Sequence, residues 1–215
     1  MSTGEIIFLT IGAAIAGFGI WHFLPKSMFF INPGSVTSWF VAGQEISPAK
    51  MEKAKELLEQ LNALGFTPSG VLFEKPPLWA KALEVLILTS DTAGEFICVV
   101  IGKRRMTYYF QTLYTGGQVI ITADGGFKPV NEGGLYQSIV SSDNPAEILE
   151  RHRENVKHFV SQGFSPVHAY TGDVIGGSTQ VYYGFPIVQK GMRTYGSMNS
   201  GLLFILCIPL ILALA

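Results

Sequence analysis

Four histidines are the first residues to ask for chemistry, since imidazole is both a metal ligand and a general base near neutral pH. His22 stands in "GIWHFLPK" beside Trp21, near the end of an uncharged apolar run. An ionisable group at that depth in a membrane helix is a candidate haem or chlorophyll-type pigment ligand. The competing role is an interfacial histidine next to an aromatic belt, because neither apolar run holds a second histidine for a bis-histidine site. His152 shares a helical face with Leu149, Val156 and Val160 and is expected to point partly into a core. His158 follows Glu154 by four residues, the spacing of an ordinary surface pair. The two stand six apart in "ERHRENVKH", on different helix faces, and match no metal-ligand spacing. His168 is isolated, so no metal and no tightly held cofactor is expected.

Other chemistries fare no better. "ADGGF" and "NEGGL" lack the strand, glycine loop and helix context and the Lys-Ser/Thr of a phosphate loop, and are expected to be turns. There is no Gly-x-Ser-x-Gly elbow, no Cys-His pairing and no useful carboxylate pair. Catalysis is not expected. The densest positive charge, Gly102, Lys103, Arg104 and Arg105, reads either as a solvated hairpin tip or as a contact to anionic lipid headgroups, with Lys26, Lys190 and Arg193 as further headgroup candidates.

The strongest signal lies in residues without functional groups. Gly12, Ala13, Ala16, Gly17 and Gly19 cluster in one apolar run, with Gly12/Ala16 and Ala13/Gly17 as overlapping small-xxx-small pairs. Such faces let another helix approach closely in lipid. The partner is either the chain's own second apolar run or another membrane protein.

These residues sit in elements that the composition delimits. Apolar types make up 48% of the 215 residues and charged types 14%. Every Lys and Arg lies between Lys26 and Arg193, and Glu5 is the only acidic residue outside that interval. Ile6 to Leu24 is free of formal charge and approaches the length that spans a bilayer core of about 30 Å. It differs from a secretory signal in having Glu5 and no Lys or Arg before it, and no small-residue cleavage site after it. The last run, counted from Met198, is near the lower limit for spanning and contains Pro209; a buried or re-entrant helix is the alternative. Lys26, Lys190 and Arg193 flank the inner ends of the two runs, which predicts a cytoplasmic middle in a two-pass protein of the bacterial plasma membrane. Cys98 and Cys207, in a strand-like run and in the second anchor, are poorly placed for a disulfide.

The middle balances fifteen basic residues against fifteen acidic ones, the sixteen of the chain less Glu5, which argues against a nucleic-acid groove. "SPAKMEKAKELLEQLNALGF" predicts an amphipathic helix started by Ser47 and Pro48 and closed by Gly65. "NPAEILERHRENVKHFVSQGF" predicts a second one, started by a capping box of Asn144 and Glu147 and closed by Gly163. Between them "LEVLILTS", "EFICVVIG", "MTYYFQTLYT", "QVIITAD" and "LYQSIVSS" read as strands with short turns, among them a Gly116-Gly117 hairpin.

The expected fold is therefore α+β, with N- and C-terminal transmembrane helices flanking a five-stranded antiparallel meander and two amphipathic helices. The expected segments are an anchor over 1–25, an interfacial linker over 26–46, the α+β domain over 47–170, a Gly/Tyr-rich hairpin or linker over 171–197 and an anchor over 198–215. Two functions fit. One is a non-catalytic accessory subunit of a larger energy-transducing, respiratory or photosynthetic membrane complex, whose partners are integral-membrane subunits and lipid. The other is a membrane-tethered binding or sensor domain in which Tyr108, Phe110, Tyr136, Phe159 and Phe164 line a site for an apolar ligand such as a lipid.

Overall fold

Ser2 starts the first helix with a reciprocal capping box: its hydroxyl accepts from Glu5 N at 3.2 Å, and Glu5 Oε2 accepts from Ser2 N at 2.6 Å. From there α1 runs Thr3–Ile31, and the C-terminal helix α5 runs Pro186–Leu214. The computed structural model describes residues 2–90, 95–125, 128–168 and 170–214. Both helices are long and apolar enough to cross a membrane, with windows of mean hydropathy 1.9 and 1.7. Only 17% and 11% of those windows is buried within the protein, unlike the core helix of a soluble domain.

The chain divides into two compact units. The first comprises Met1–Thr37, Lys75–Lys81 and Pro186–Ala215. In it α1 and α5 pack antiparallel: Gly12 faces Leu210, Gly19 faces Leu203 and Leu206, and Gly196 faces Phe29 and Phe30. A Cβ on Gly196 would collide with Phe30 N and stand 2.8 Å from Phe29 C, so only glycine permits this crossing. Pro25 lies inside α1 and has no N–H to give the carbonyl of Trp21, four residues back. The loop 75–81 supplies the missing donor. Trp79 Nε1 donates to Trp21 O at 2.8 Å, and the two indoles stack with centroids 5.6 Å apart. Leu78, just before it, holds a left-handed φ of 61°, a costly conformation for a leucine.

The second unit, Ser38–Glu74 and Ala82–Phe185, is built on a sheet. Its strands are β1 Thr37–Ala42, β2 Thr67–Lys75, β3 Leu83–Thr89, β4 Phe96–Ile101, β5 Met106–Leu113, β6 Val119–Ala123, β7 Val130–Glu132 and β8 Leu135–Ile139, in spatial order β1-β2-β3-β4-β5-β6-β8-β7. The meander of five antiparallel strands is thus corrected to an eight-stranded mixed sheet. β2 escapes detection because Pro68 and Gly70 look like breakers, and they sit where the β2/β3 register shifts. The Gly133-Gly134 turn folds β7 to the outer edge, so β8 enters between β7 and β6 and runs parallel to β6. The Gly116-Gly117 hairpin forms as expected, with Gly117 at φ 81°. Of "ADGGF", Gly126 and Phe127 lie outside the described residues.

Helices α2, Pro48–Ala63, and α3, Pro145–Ser161, cover one sheet face. Ala54, Leu57, Leu61, Ile148 and Leu149 meet Leu86, Leu88, Ile97, Val99 and Phe110 in its core. Gly65 and Gly163 end these helices at φ 88° and 90°. Ser47 makes no side-chain cap, whereas Asn144 Oδ1 accepts from Ala146 N. The Gly/Tyr-rich segment is not a hairpin or linker: Gly172–Gly184 is a helix, α4, capped by the Thr171 hydroxyl on Val174 N. Burial of Ile175, Ser178 and Thr179 outweighs its poor helix propensity. Phe185 alone separates α4 from α5, which begins twelve residues earlier than the hydropathy of the last run suggests.

Candidate functional site

Strand alternation sends successive side chains to opposite sheet faces. Leu86, Ile97, Val99 and Phe110 serve the core with α2 and α3; Val85, Cys98, Val100, Tyr109, Gln111 and Ile121 take the opposite face. There they meet Ser178, Thr179, Tyr182 and Tyr183 of α4 around a partly enclosed cavity of about 180 Å³, completed by Leu72, Glu74 and Leu83. Every lining residue belongs to the α+β unit.

Glu74 closes the polar end. Thr179 Oγ1 donates to its Oε1 at 3.1 Å, joining β2 to α4. Burial raises the Glu74 carboxyl above the ordinary carboxylate range, and the threonine hydrogen bond offsets part of that rise. Burial likewise lifts the Cys98 thiol far above its usual value, although the Tyr109 hydroxyl donates to it. Tyr109 and Tyr183 are raised, and Tyr182 is pushed up to about 12, in each case by burial first and then by the Glu74 charge among nearby groups. A thiol held protonated is a poor nucleophile. The cavity offers one titratable carboxyl, three phenols and aliphatic walls.

A second polar cluster lies on the other face. His152 is fully buried, with Nδ1 3.0 Å from Thr122 Oγ1 and Nε2 3.0 Å from Thr112 Oγ1. Asn155 Nδ2 reaches Thr122 Oγ1 and Ser138 Oγ, and Tyr136 OH donates to Asn155 Oδ1. Burial, with the Arg153 charge behind it, pushes His152 down to about 3, so a neutral imidazole ties α3 to β5 and β6. The role is architectural.

The residues singled out in the sequence fall elsewhere. His22 is exposed, stacked on Phe18, with Nε2 2.9 Å from Lys26 Nζ. Gly12, Ala16 and Gly19 are buried within the α1/α5 pair, while Ala13 and Gly17 stay exposed. Lys103, Arg104 and Arg105 occupy the exposed β4/β5 turn, held by Lys53 Nζ on Gly102 O and Lys103 O. Lys190 and Arg193 are exposed on α5. His158 pairs with Gln162, not Glu154, which instead binds Arg151 at 2.9 Å. Tyr108 and Phe110 are buried among core residues, and Phe159 packs on Tyr114, Tyr136 and Phe164. None of these five expected pocket aromatics lines the cavity under α4. Among the described residues no group of three or more His, Cys, Asp or Glu side chains is placed to hold a metal. The cavity residues were missed because they are scattered over β2 to β6 and α4; the one local hint was the tyrosine pair in "QVYYG".

No family model, curated protein or solved structure matches this chain. The geometry of its own residues carries the functional argument.

Proposed function

We propose that this chain is a membrane-tethered binding domain whose α+β unit receives a small, largely apolar molecule between the sheet and α4. The observation that carries this is the cavity itself, with a few convergent polar groups on an apolar wall, the usual make-up of a ligand site. Its two walls come from elements joined there by the Glu74–Thr179 hydrogen bond, so an occupant bears directly on how firmly α4 is held. α4 passes into the membrane helix α5 through Phe185, which suits a sensor. The proposed chemistry is binding; burial raises the cavity thiol and phenols above their usual values, which disfavours them as nucleophiles.

The same reading puts the α+β unit on the cytoplasmic side of a bacterial plasma membrane. Lys26, Lys190 and Arg193 lie toward the end of the helix pair from which the chain leaves for the other unit, and cationic flanks favour the cytoplasmic side. A Lys103→Cys thiol labelled in right-side-out vesicles would refute this orientation.

The test of the binding reading is mass spectrometry of small molecules released from the full-length protein purified in mild detergent, beside Val100→Phe, which fills the cavity. A compound retained by the wild type and lost from the variant is the expected result. Identical empty spectra, with no stabilisation of either protein in a small-molecule screen, would refute it.

A second reading, a non-catalytic subunit of a larger membrane assembly, draws on the outward-facing Ala13/Gly17 pair; nothing lies within 4 Å of a Cβ placed on Gly17. Native electrophoresis from solubilised membranes separates the two. Migration as a lone chain removes the subunit reading, and a stoichiometric band that Gly17→Leu disperses favours it.

A further inference from the structure

Among the described residues Glu74 is the only acidic or basic one that lines the cavity, and no Lys, Arg or His forms an ion pair with it. Among the described residues its carboxylate accepts one hydrogen bond, from Thr179, fewer than an ionised carboxylate accepts in water. A half-buried carboxylate with so little compensation is disfavoured, and a cation beside it lowers that cost.

The surroundings narrow the kind of cation. Tyr109 on β5 and Tyr182 and Tyr183 on α4 share the lining with Glu74, and the last two rings pack edge to face with centroids 5.3 Å apart. Phenol rings attract organic cations over their faces, most strongly when water is excluded. The rest of the wall is mainly aliphatic, including Leu72, Val85 and Val100. Glu74 is the one carboxylate among the described lining residues, and the other oxygens are neutral hydroxyls and an amide, a weak set for a bare divalent ion. The volume of about 180 Å³ is slightly above the roughly 150 Å³ that admits benzene, which sets the scale at about six to eight non-hydrogen atoms.

We propose that the cavity binds a small alkylammonium cation, with its nitrogen beside the Glu74 carboxylate and its carbon atoms against Tyr109, Tyr182, Tyr183 and the aliphatic wall. This rests on the binding-domain reading above and specifies the class of ligand. Because burial holds the Glu74 proton more tightly than usual, a cation that stabilises the ionised form expels that proton, and affinity rises with pH. The other titratable groups facing Glu74 are Cys98 on β4, Tyr109 on β5, and Tyr182 and Tyr183 on α4. All are shifted upward, so Glu74 is the group that releases the proton.

The test uses the full chain in lipid nanodiscs and isothermal titration with tetramethylammonium, choline, and the neutral alcohol in which carbon replaces the choline nitrogen. Choline is expected to bind about tenfold or more tightly than its neutral isostere, a ratio in line with a desolvated cation–π and charge contribution. Glu74→Gln should bring the ratio toward one, and Tyr182→Leu should weaken choline far more than the isostere. The pH dependence should appear for the cations alone. Equal binding of choline and its isostere overturns the cation assignment while leaving the binding domain intact. A preference for choline that survives both substitutions overturns the site. Absence of binding by choline and tetramethylammonium overturns the proposal, and the Val100→Phe comparison then decides the broader reading separately.

Discussion

His152 makes acid sensitivity a quantitative test of how the α+β unit is held together. The imidazole is wholly buried between two threonine hydroxyls and titrates at about 3, whereas an unfolded histidine titrates near ~6.5. The folded value is depressed, so as pH falls the unfolded chain takes up the proton first. Stability from this group is complete above about pH 6.5 and is lost as pH falls toward 3. The slope is about 1.4 kcal/mol per pH unit, which integrates to about 2 kcal/mol by about pH 5 and about 4 kcal/mol near pH 3. That is a large share of the ~5–15 kcal/mol typical of a domain. His152→Gln keeps a donor and an acceptor but never charges. It is expected to cost about 1–3 kcal/mol at neutral pH through poorer hydrogen-bond geometry, and then to lose less on acidification, so the two stabilities converge near pH ~5. Urea unfolding of the full chain in micelles across this range measures the difference between the proteins, in which other titrating groups cancel. Parallel pH slopes for wild type and variant, or a His152 resonance that titrates near its ordinary value, would refute the reasoning.

Three further outcomes follow from the same geometry. Gly196→Leu drives a side chain into the Phe29–Phe30 backbone and should loosen the α1/α5 pair by about 1–3 kcal/mol; Gly201→Leu, with nothing within 4 Å of its Cβ, should not. Thermal unfolding in nanodiscs compares them, and equal midpoints would count against the crossing. Trp79→Phe preserves the stack on Trp21 but removes the donor that serves the carbonyl freed by Pro25, for a loss of about 1–2 kcal/mol. In a Pro25→Ala background the helix supplies its own N–H, so the loss should shrink; a full loss there would disprove the link. Glu74 has a raised folded pKa, so the folded protein binds its proton the more tightly, and stability falls as pH rises from the ordinary carboxylate value through the folded one. Glu74→Gln should abolish that fall, and an unchanged pH profile in its denaturation midpoints would show that the carboxyl is not desolvated.

How much was legible in the sequence depends on the range of the interaction. Gly65 and Gly163 end α2 and α3 at left-handed positions where the local pattern required them, and Pro48 and Pro145 open them. Gly12, Ala16 and Gly19 read as a helix-packing face with two candidate partners, and in the structure Gly12 packs on Leu210 and Gly19 on Leu203 and Leu206. The stretch Thr67–Pro68–Ser69–Gly70 gave no strand signal, because a bulge and a close approach to Ala42 and Phe40 make glycine necessary there. Gly196 and Trp79 carried no local signal, since each is defined by the backbone it meets.

The sequence by itself determined that two apolar stretches without Lys or Arg enclose a charge-balanced α+β segment, and it set the limits of two amphipathic helices. Those features depend on hydropathy, periodicity and caps, which act over a few residues. Tertiary structure alone decided that Gly172–Gly184 is a helix, that β8 runs parallel to β6, and that Glu74 and Thr179, 105 residues apart, meet across a cavity. A glycine-rich segment is helical only when burial against a sheet outweighs its backbone entropy. A cavity exists only where distant elements enclose it.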